Sequence, residues 1–176
     1  MNPNIPRLVY LLRHAKSDWS DPATGDHERP LARRGRRDAQ RLAEYFRRNA
    51  ISPQLVLCSS AVRARQTLAP IAAAIHIHED RVEVEPALYG AAAAEILGRL
   101  RRVGERIRSV LVVGHNPGLQ DLAVDLVGDD RALLGALREK FPTGALAVVV
   151  FDGASWSELS PLTASVSSVT VPRQLP

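Results

Sequence analysis

Three short runs of apolar residues recur along the chain, at 8–12, 55–57 and 110–113. A continuous run of this length is typical of a strand that is buried on both faces of a sheet. Helical periodicity fills the stretches between them, at residues 34–49, 61–75 and 92–103. In the first of these stretches, the apolar positions fall on one face of a helix and arginines occupy most of the other face.

The remaining sequence continues the alternation of strands and helices. Residues 81–85 alternate like a half-exposed strand, 118–127 and 131–139 are predicted helices, and 144–152 is predicted to be a central strand. The tail from Trp156 is expected to add an edge strand or a hairpin. This pattern predicts a single three-layer α/β/α domain over residues 1–176, with a mostly parallel central sheet and helices on both sides.

Composition supports a soluble globular domain and says little about partners. The chain has 176 residues, of which 45% are hydrophobic and 24% are charged. Two of the 23 basic residues are lysines, a bias that coding composition explains more simply than an anionic substrate does. The arginine-rich helix lacks an aromatic platform or a known binding motif, so we expect a solvated face and no nucleic-acid partner.

Cysteine content and apolar run length bear on location. Cys58 is the only cysteine, which excludes an intrachain disulfide and favours a reducing compartment. The longest apolar run, 145–151, is too short to span a bilayer, and 8–12 is too short for the core of a signal peptide. We therefore expect a cytoplasmic protein with no membrane partner. A monomer is expected as well.

Candidate chemistry follows three of the predicted buried strands. Arg13 and His14 end the first, Arg63 lies one helical turn beyond the second, and His115 ends the third. Because ligands of open α/β sheets bind beyond the carboxyl ends of the strands, these side chains should converge. Each alone is more often structural, but four such residues at three strand ends favour a functional site.

The four residues suit phosphoryl transfer. Planar guanidinium groups pair bidentately with phosphate oxygens. A neutral imidazole is a competent nucleophile, and a second, protonated imidazole could stabilise the charge that develops during transfer. This chemistry needs no metal or other cofactor, and none is expected.

Three segments resemble the histidine phosphatase superfamily, also called the phosphoglycerate mutase-like superfamily. Residues 11–19 resemble its Arg-His-Gly signature, 59–67 its second arginine motif, and 114–117 its second histidine motif. The Arg29-Pro-Leu31 segment, followed by Gly35, is similar to the small SixA-type phosphohistidine phosphatases. The resemblance covers nearly the whole chain in order and implies a phosphoglycerate mutase-like fold.

The resemblance also implies roles for individual residues. His14 would be the phosphate-accepting nucleophile, and Arg13, Arg63 and His115 would form the phosphate pocket. Ser20 falls where mutase-type members carry an asparagine that touches phosphate. Ser20 and Asn116 are therefore the candidate substrate-binding residues.

The sequence departs from the family pattern at three places. Ala15 replaces the usual glycine and Lys16 replaces the mutases' glutamate, and neither change removes a catalytic group. The mutases also carry a proton-donating glutamate where this chain has 86–90, a stretch without a carboxylate. Asp18 and Glu95 could substitute for it, although an exposed loop acid and a charge on a helix face are the simpler interpretations.

These observations predict a phosphatase that hydrolyses phosphohistidine or a small phosphate ester through a phosphorylated His14. Its partner would be a phosphorylated protein or a small phosphate substrate. The alternatives are a phosphoglycerate mutase-type phosphotransferase and a non-catalytic phospho-binding protein. A cysteine phosphatase is disfavoured, because Cys58 and Arg63 are separated by four residues and such loops need five.

Overall fold

The computed structural model describes residues 6–175, which build one six-stranded sheet with helices on both faces. The strands are β1 (Arg7–Arg13), β2 (Leu55–Ser59), β3 (Val82–Glu85), β4 (Ser109–Gly114), β5 (Leu146–Phe151) and β6 (Ala164–Thr170). The helices are α1 (Arg33–Arg48), α2 (Val62–Ala74), α3 (Ala93–Leu100), α4 (Gly118–Asp125) and α5 (Arg131–Glu139).

The sheet is mostly parallel, as the sequence predicts. Its strand order is β3-β2-β4-β1-β5-β6, and the four strands from β3 to β1 run in the same direction. The register between β1 and β4 extends from Leu8 opposite Ser109 to Arg13 opposite Gly114. The carboxyl ends of four strands therefore meet at one edge of the sheet.

Strand β5, predicted as a central strand, is an interior strand of the sheet. It is paired on both sides, but it is antiparallel to β1 and lies one position from the edge. The tail forms the edge strand β6, antiparallel to β5, so the prediction of an edge strand is confirmed. Because β5 runs in reverse, the segment that precedes it lies at the edge where β1 and β4 end.

Side chains of the strands alternate between two apolar layers. Val9 and Leu11 pack on one side of β1, in the cluster that contains residues of α3, α4 and α5. Tyr10 and Leu12 pack on the other side, with residues of α1 and α2. The α/β/α layering is thus confirmed. None of the helices in the described part of the chain is long and apolar enough to cross a bilayer.

The predicted helix boundaries agree with the structure to within a few residues. Helix α3 ends at Leu100, three residues before its predicted end, because the chain turns at residues 101–103 to enter β4. Strand β3 is the other edge of the sheet and is only partly buried, in agreement with its alternating pattern.

The start of α1 packs directly on the loop that follows β1. The backbone N–H of Ala32 donates to the carbonyl oxygen of Lys16 at 2.9 Å. A Cβ atom on Gly35 would overlap that same carbonyl oxygen. Only glycine therefore permits this close approach of helix and loop, which fixes the chain immediately after His14.

We expect Gly35→Ala to lower the free energy of unfolding by about 3 kcal/mol, because backbone must move to admit the methyl group. Gly135→Ala is the matched control, since Gly135 also lies within a helix but has no atom near its would-be Cβ. That change should raise stability by about 0.5–1 kcal/mol. Urea unfolding of both variants measures the difference, and equal stabilities would contradict the packing.

Candidate active site

His14 lies at the carboxyl end of β1 and is 7% exposed. Its backbone N–H donates to the Gly114 carbonyl at 3.0 Å, which continues the pairing of β1 with β4. Its Nδ1 lies 2.7 Å from the Ala15 carbonyl oxygen, an acceptor only, so Nδ1 carries the proton. The lone pair is therefore on Nε2, which accepts from Arg63 Nε at 3.3 Å.

Burial keeps the His14 ring neutral. Loss of solvent is the largest cause, and the nearby His115, Arg63 and Arg13 add to it, so the pKa of His14 falls to about 3 although the Ala15 carbonyl opposes the shift. Its Nε2 is unprotonated at neutral pH. The proton state that nucleophilic attack requires is thus the resting state.

His115 directly follows β4, and its ring faces that of His14. The two ring centroids are 5.0 Å apart. His115 Nε2 lies 2.7 Å from the hydroxyl of Ser59, a fully buried residue at the end of β2. Burial first, and Arg63 second, lower the pKa of His115 to about 4, so the resting ring is neutral at neutral pH and not protonated as expected from the sequence. Among the described residues, its buried Nδ1 has no hydrogen-bond partner.

The two arginines come from different elements. Arg63 lies in the first turn of α2, is 7% exposed and contacts His14 directly. Arg13 Nη1 donates to the Phe141 carbonyl at 2.8 Å, and its buried Nε has no partner within the described chain. Burial and the charge of Arg63 lower the pKa of Arg13. The site therefore concentrates positive charge around a neutral imidazole, an arrangement that suits a phosphate dianion.

A buried threonine links the loop after His14 to helix α2. The hydroxyl of Thr67 accepts from the backbone N–H of Ala15 at 3.0 Å and donates to the Arg63 carbonyl at 2.7 Å. One side chain of α2 thus fixes both the residue after His14 and the residue that contacts it. Sequence reasoning did not single out Thr67, although it ends the second arginine motif.

A carboxylate that sequence reasoning missed also reaches the site. Asp26 begins a short 3-10 turn, Asp26–Glu28, in the loop between β1 and α1. Its Oδ2 accepts from Arg63 Nη2 at 2.9 Å and from the Tyr89 hydroxyl at 2.7 Å. The Tyr89 hydrogen bond first, and Arg63 second, hold the pKa of Asp26 below its ordinary value against the effect of burial. Its position before the Arg29-Pro-Leu31 segment was the available sequence signal.

Aromatic rings line the same side of the site. Tyr89 is 38% exposed and stands edge-on to His115, at a centroid distance of 5.5 Å, and to His27, at 4.9 Å. His27 Nε2 lies 2.9 Å from the Ser60 hydroxyl. Tyr89 follows β3 within the stretch 86–90, where the family resemblance implies a glutamate in the mutases and this chain has no carboxylate.

The other predicted residues lie in different surroundings. Asn116 donates through Nδ2 to Gln120 and to the Phe141 carbonyl, the same acceptor that Arg13 uses. Ser20 lies on the exposed part of the loop after β1, where its backbone N–H donates to the Asp18 carboxylate at 3.0 Å. Substrate binding by Ser20 and Asn116 stays a prediction.

Cys58 is a buried residue of β2, as expected from its strand position. Burial raises the pKa of its thiol to about 12, which leaves no thiolate for nucleophilic attack. Within residues 6–175, no group of three or more His, Cys, Asp or Glu side chains is placed to hold a metal ion.

Comparison with known proteins identifies the family. A sequence model of the histidine phosphatase superfamily (branch 1) matches residues 9–99. An uncharacterized protein of Mycobacterium tuberculosis is 40% identical over 92% of this chain and 100% of its own length. Phosphohistidine phosphatase SixA of Escherichia coli is 27% identical over 82% of this chain and 85% of its own.

A solved structure gives the same result. A candidate phosphohistidine phosphatase SixA from Nakamurella multipartitia matches with a TM-score of 0.82 and 32% identity, over 97% of this chain and 99% of that one. The chain therefore belongs to the histidine phosphatase superfamily, as a phosphatase-like hydrolase of SixA type.

The lowered pKa values of His14 and His115 predict unusual titration. Their ring NMR shifts should stay flat from pH 8 to pH 5 in phosphate-free buffer, although an ordinary histidine titrates near 6.5. The unfolded chain takes up these protons and the folded chain does not. The free energy of unfolding should therefore fall between pH 7 and pH 5, by about 2 kcal/mol for each histidine.

The variant His115→Asn removes one of these groups. Between pH 7 and pH 5, its free energy of unfolding should fall by about 2 kcal/mol less than that of the wild type. A titration midpoint near 6.5 for either ring, or identical pH dependence of the two proteins, would contradict the proton states described above.

Proposed function

We propose that this member of the histidine phosphatase superfamily hydrolyses phosphohistidine, or a related phosphate compound with a good leaving group, through a phosphorylated His14. The observation that carries the proposal is the buried, neutral Nε2 of His14 in contact with Arg63, beside the ring of His115. Arg13 and Arg63 carry the charge that would neutralise the transferred phosphoryl group, and the ring of His115, neutral at rest, would contribute a hydrogen bond to it.

The proposed reaction has two displacements. In the first, the Nε2 lone pair of His14 attacks phosphorus. The bond from phosphorus to the leaving nitrogen or oxygen breaks, and its electron pair stays with the leaving group. In the second, water attacks the same phosphorus, the bond to Nε2 breaks, and the electron pair returns to His14. A proton of that water passes to solvent. Charge neutralisation and in-line positioning supply most of the catalysis in such transfers.

The relatives favour a phosphohistidine substrate. The Escherichia coli protein is named a phosphohistidine phosphatase, and the Nakamurella protein is a candidate for the same activity. For this chain, we propose a phosphorylated substrate, a monomeric state and a cytoplasmic location. Cys58 fits that location, because a free buried thiol suits a reducing compartment.

The mutase alternative is less well supported. A mutase must protect its phosphoenzyme from water between two half-reactions, which calls for a covering segment. Here β3 connects to α3 through only seven residues, 86–92. This short connection favours transfer to water.

The described side chains near His14 offer no clear proton donor for the leaving group, which favours substrates with good leaving groups. The stretch 86–90, where the resemblance implies the mutases' acid, contains the Tyr89 hydroxyl, and that hydroxyl donates to Asp26. Asp26 has a lowered pKa and is ionised at neutral pH, so it holds no proton to donate. An alkoxide leaving group would therefore depart without help, whereas the imidazole of phosphohistidine is readily protonated by solvent.

The nucleophile can be identified by trapping. Rapid quenching during turnover of a labelled substrate should give an acid-labile, base-stable phosphoryl adduct on His14, as expected of a phosphorus–nitrogen bond. His14→Ala should abolish turnover, and Cys58→Ser is the control that should leave it nearly intact. An acid-stable adduct, or one on Ser17 or Cys58, would show that the proposed nucleophile is wrong.

A leaving-group series tests the substrate class. We expect kcat/KM to fall steeply as the leaving-group pKa rises, with phosphohistidine and aryl phosphates ahead of alkyl phosphates. An effective acid is worth about 10²–10⁴ in rate, so its absence should be evident across the series. Asp18→Asn should leave the slope unchanged. A flat wild-type series that becomes steep in Asp18→Asn would mean that Asp18 donates the proton.

A further inference from the structure

The guanidinium group of Arg63 is held on two edges at once. Its Nε–H faces the Nε2 lone pair of His14 at 3.3 Å. Its Nη1 donates to the backbone carbonyl of Asp26, and its Nη2 donates to the Asp26 carboxylate at 2.9 Å. A guanidinium group offers a side-on edge, Nε with Nη2, and an end-on edge, Nη1 with Nη2. Asp26 occupies the end-on edge, which leaves the side-on edge toward the nucleophile.

Asp26 is itself anchored from two directions. The Tyr89 hydroxyl donates to the same carboxylate oxygen that Arg63 contacts, at 2.7 Å. On the other side, Arg29 Nε lies 3.8 Å from Oδ1, and the Arg29 backbone N–H donates to the Asp26 carbonyl. The Arg29 guanidinium stacks on the Trp19 ring at 4.0 Å, which limits its own movement. The carboxylate is therefore fixed even though its side chain is 46% exposed.

We propose that Asp26 is a positioning residue for Arg63. It holds the end-on edge so that the side-on edge stays directed at the phosphoryl group transferred to His14, and Tyr89 keeps Asp26 in place. This inference rests on the function proposed above. Arginine has many rotamers, and a charged clamp contributes to catalysis only if it is oriented before the reaction.

Electrostatics distinguishes this role from a simple charge effect. A carboxylate close to an anion site repels the anion, so removing its charge alone would tighten substrate binding. Loss of orientation instead weakens an interaction that matters most in the transition state, which lowers kcat. Loss of a proton donor would give a third result, because it slows the hydrolysis of substrates with poor leaving groups more than that of substrates with good ones.

The test compares the nearly isosteric Asp26→Asn with the wild type, with aryl phosphates as substrates. We expect kcat to fall about 10- to 100-fold, as for a lost hydrogen bond to a charged group. KM should change by less than about threefold, and the loss should be the same for every leaving group. In the Arg63→Ala background, Asp26→Asn should lower kcat by less than about twofold.

Two further variants complete the kinetic comparison. Tyr89→Phe should lower kcat by about 3- to 10-fold, with no added effect in the Asp26→Asn background. Asp21→Asn is the matched control, since Asp21 is an exposed acid of the same loop that bonds to Thr24 and the Ala23 backbone. It should leave kcat unchanged.

Hydrogen exchange of the Arg63 Nε–H, followed by NMR, tests positioning without any turnover. Exchange should be at least about tenfold faster in Asp26→Asn than in the wild type or Asp21→Asn. If the wild type hydrolyses no phosphate compound but this difference holds, the proposed function fails and the positioning role stands. Three outcomes would overturn the positioning role of Asp26. They are an unchanged exchange rate in Asp26→Asn, an effect of Asp26→Asn on kcat that persists in the Arg63→Ala background, and an effect on kcat that grows with leaving-group pKa.

Discussion

The parallel pairing of β1, β4 and β2 is the constraint on which the site depends. Parallel strands end at the same edge of a sheet, so His14, His115 and Ser59 are delivered to one place by backbone hydrogen bonds alone. Strand β5 runs in reverse and brings the Phe141 carbonyl to that edge, where Arg13 and Asn116 share it as an acceptor. The apolar layers on both faces fix this register, because a shift of one residue would turn each side chain to the other face.

Burial sets the protonation states of the two histidines that follow these strands, His14 and His115. The imidazoles of His14 and His115 are neutral at neutral pH mainly because burial disfavours their charged forms, and the two nearby guanidinium groups lower their pKa values further. The result is a neutral imidazole, that of His14, beside the positive charge of two guanidinium groups. Asp26 offsets part of that charge, and it does so on the edge of Arg63 that faces away from His14. In the proposed mechanism, the attacking group and the charged groups that bind phosphate are therefore different residues.

Sequence patterns predicted the strand ends well and the loops poorly. His14, Arg63 and His115 could be placed because apolar runs locate strands and parallel strands end together. The direction of β5 could not be read from its composition, since a strand paired on both sides has the same pattern in either direction. Asp26 and Tyr89 meet only through the geometry of two loops separated by 63 positions, which no local pattern encodes.

The central claim, transfer by way of a covalent phosphoenzyme, is tested most directly by the stereochemistry at phosphorus. The substrate is an aryl phosphorothioate made chiral at phosphorus by oxygen isotopes, and it is hydrolysed in water that carries a third isotope. Each in-line displacement inverts phosphorus, so attack by His14 followed by attack by water should give net retention of configuration. Net inversion would mean that water attacks the substrate directly and that the neutral His14 is not a nucleophile.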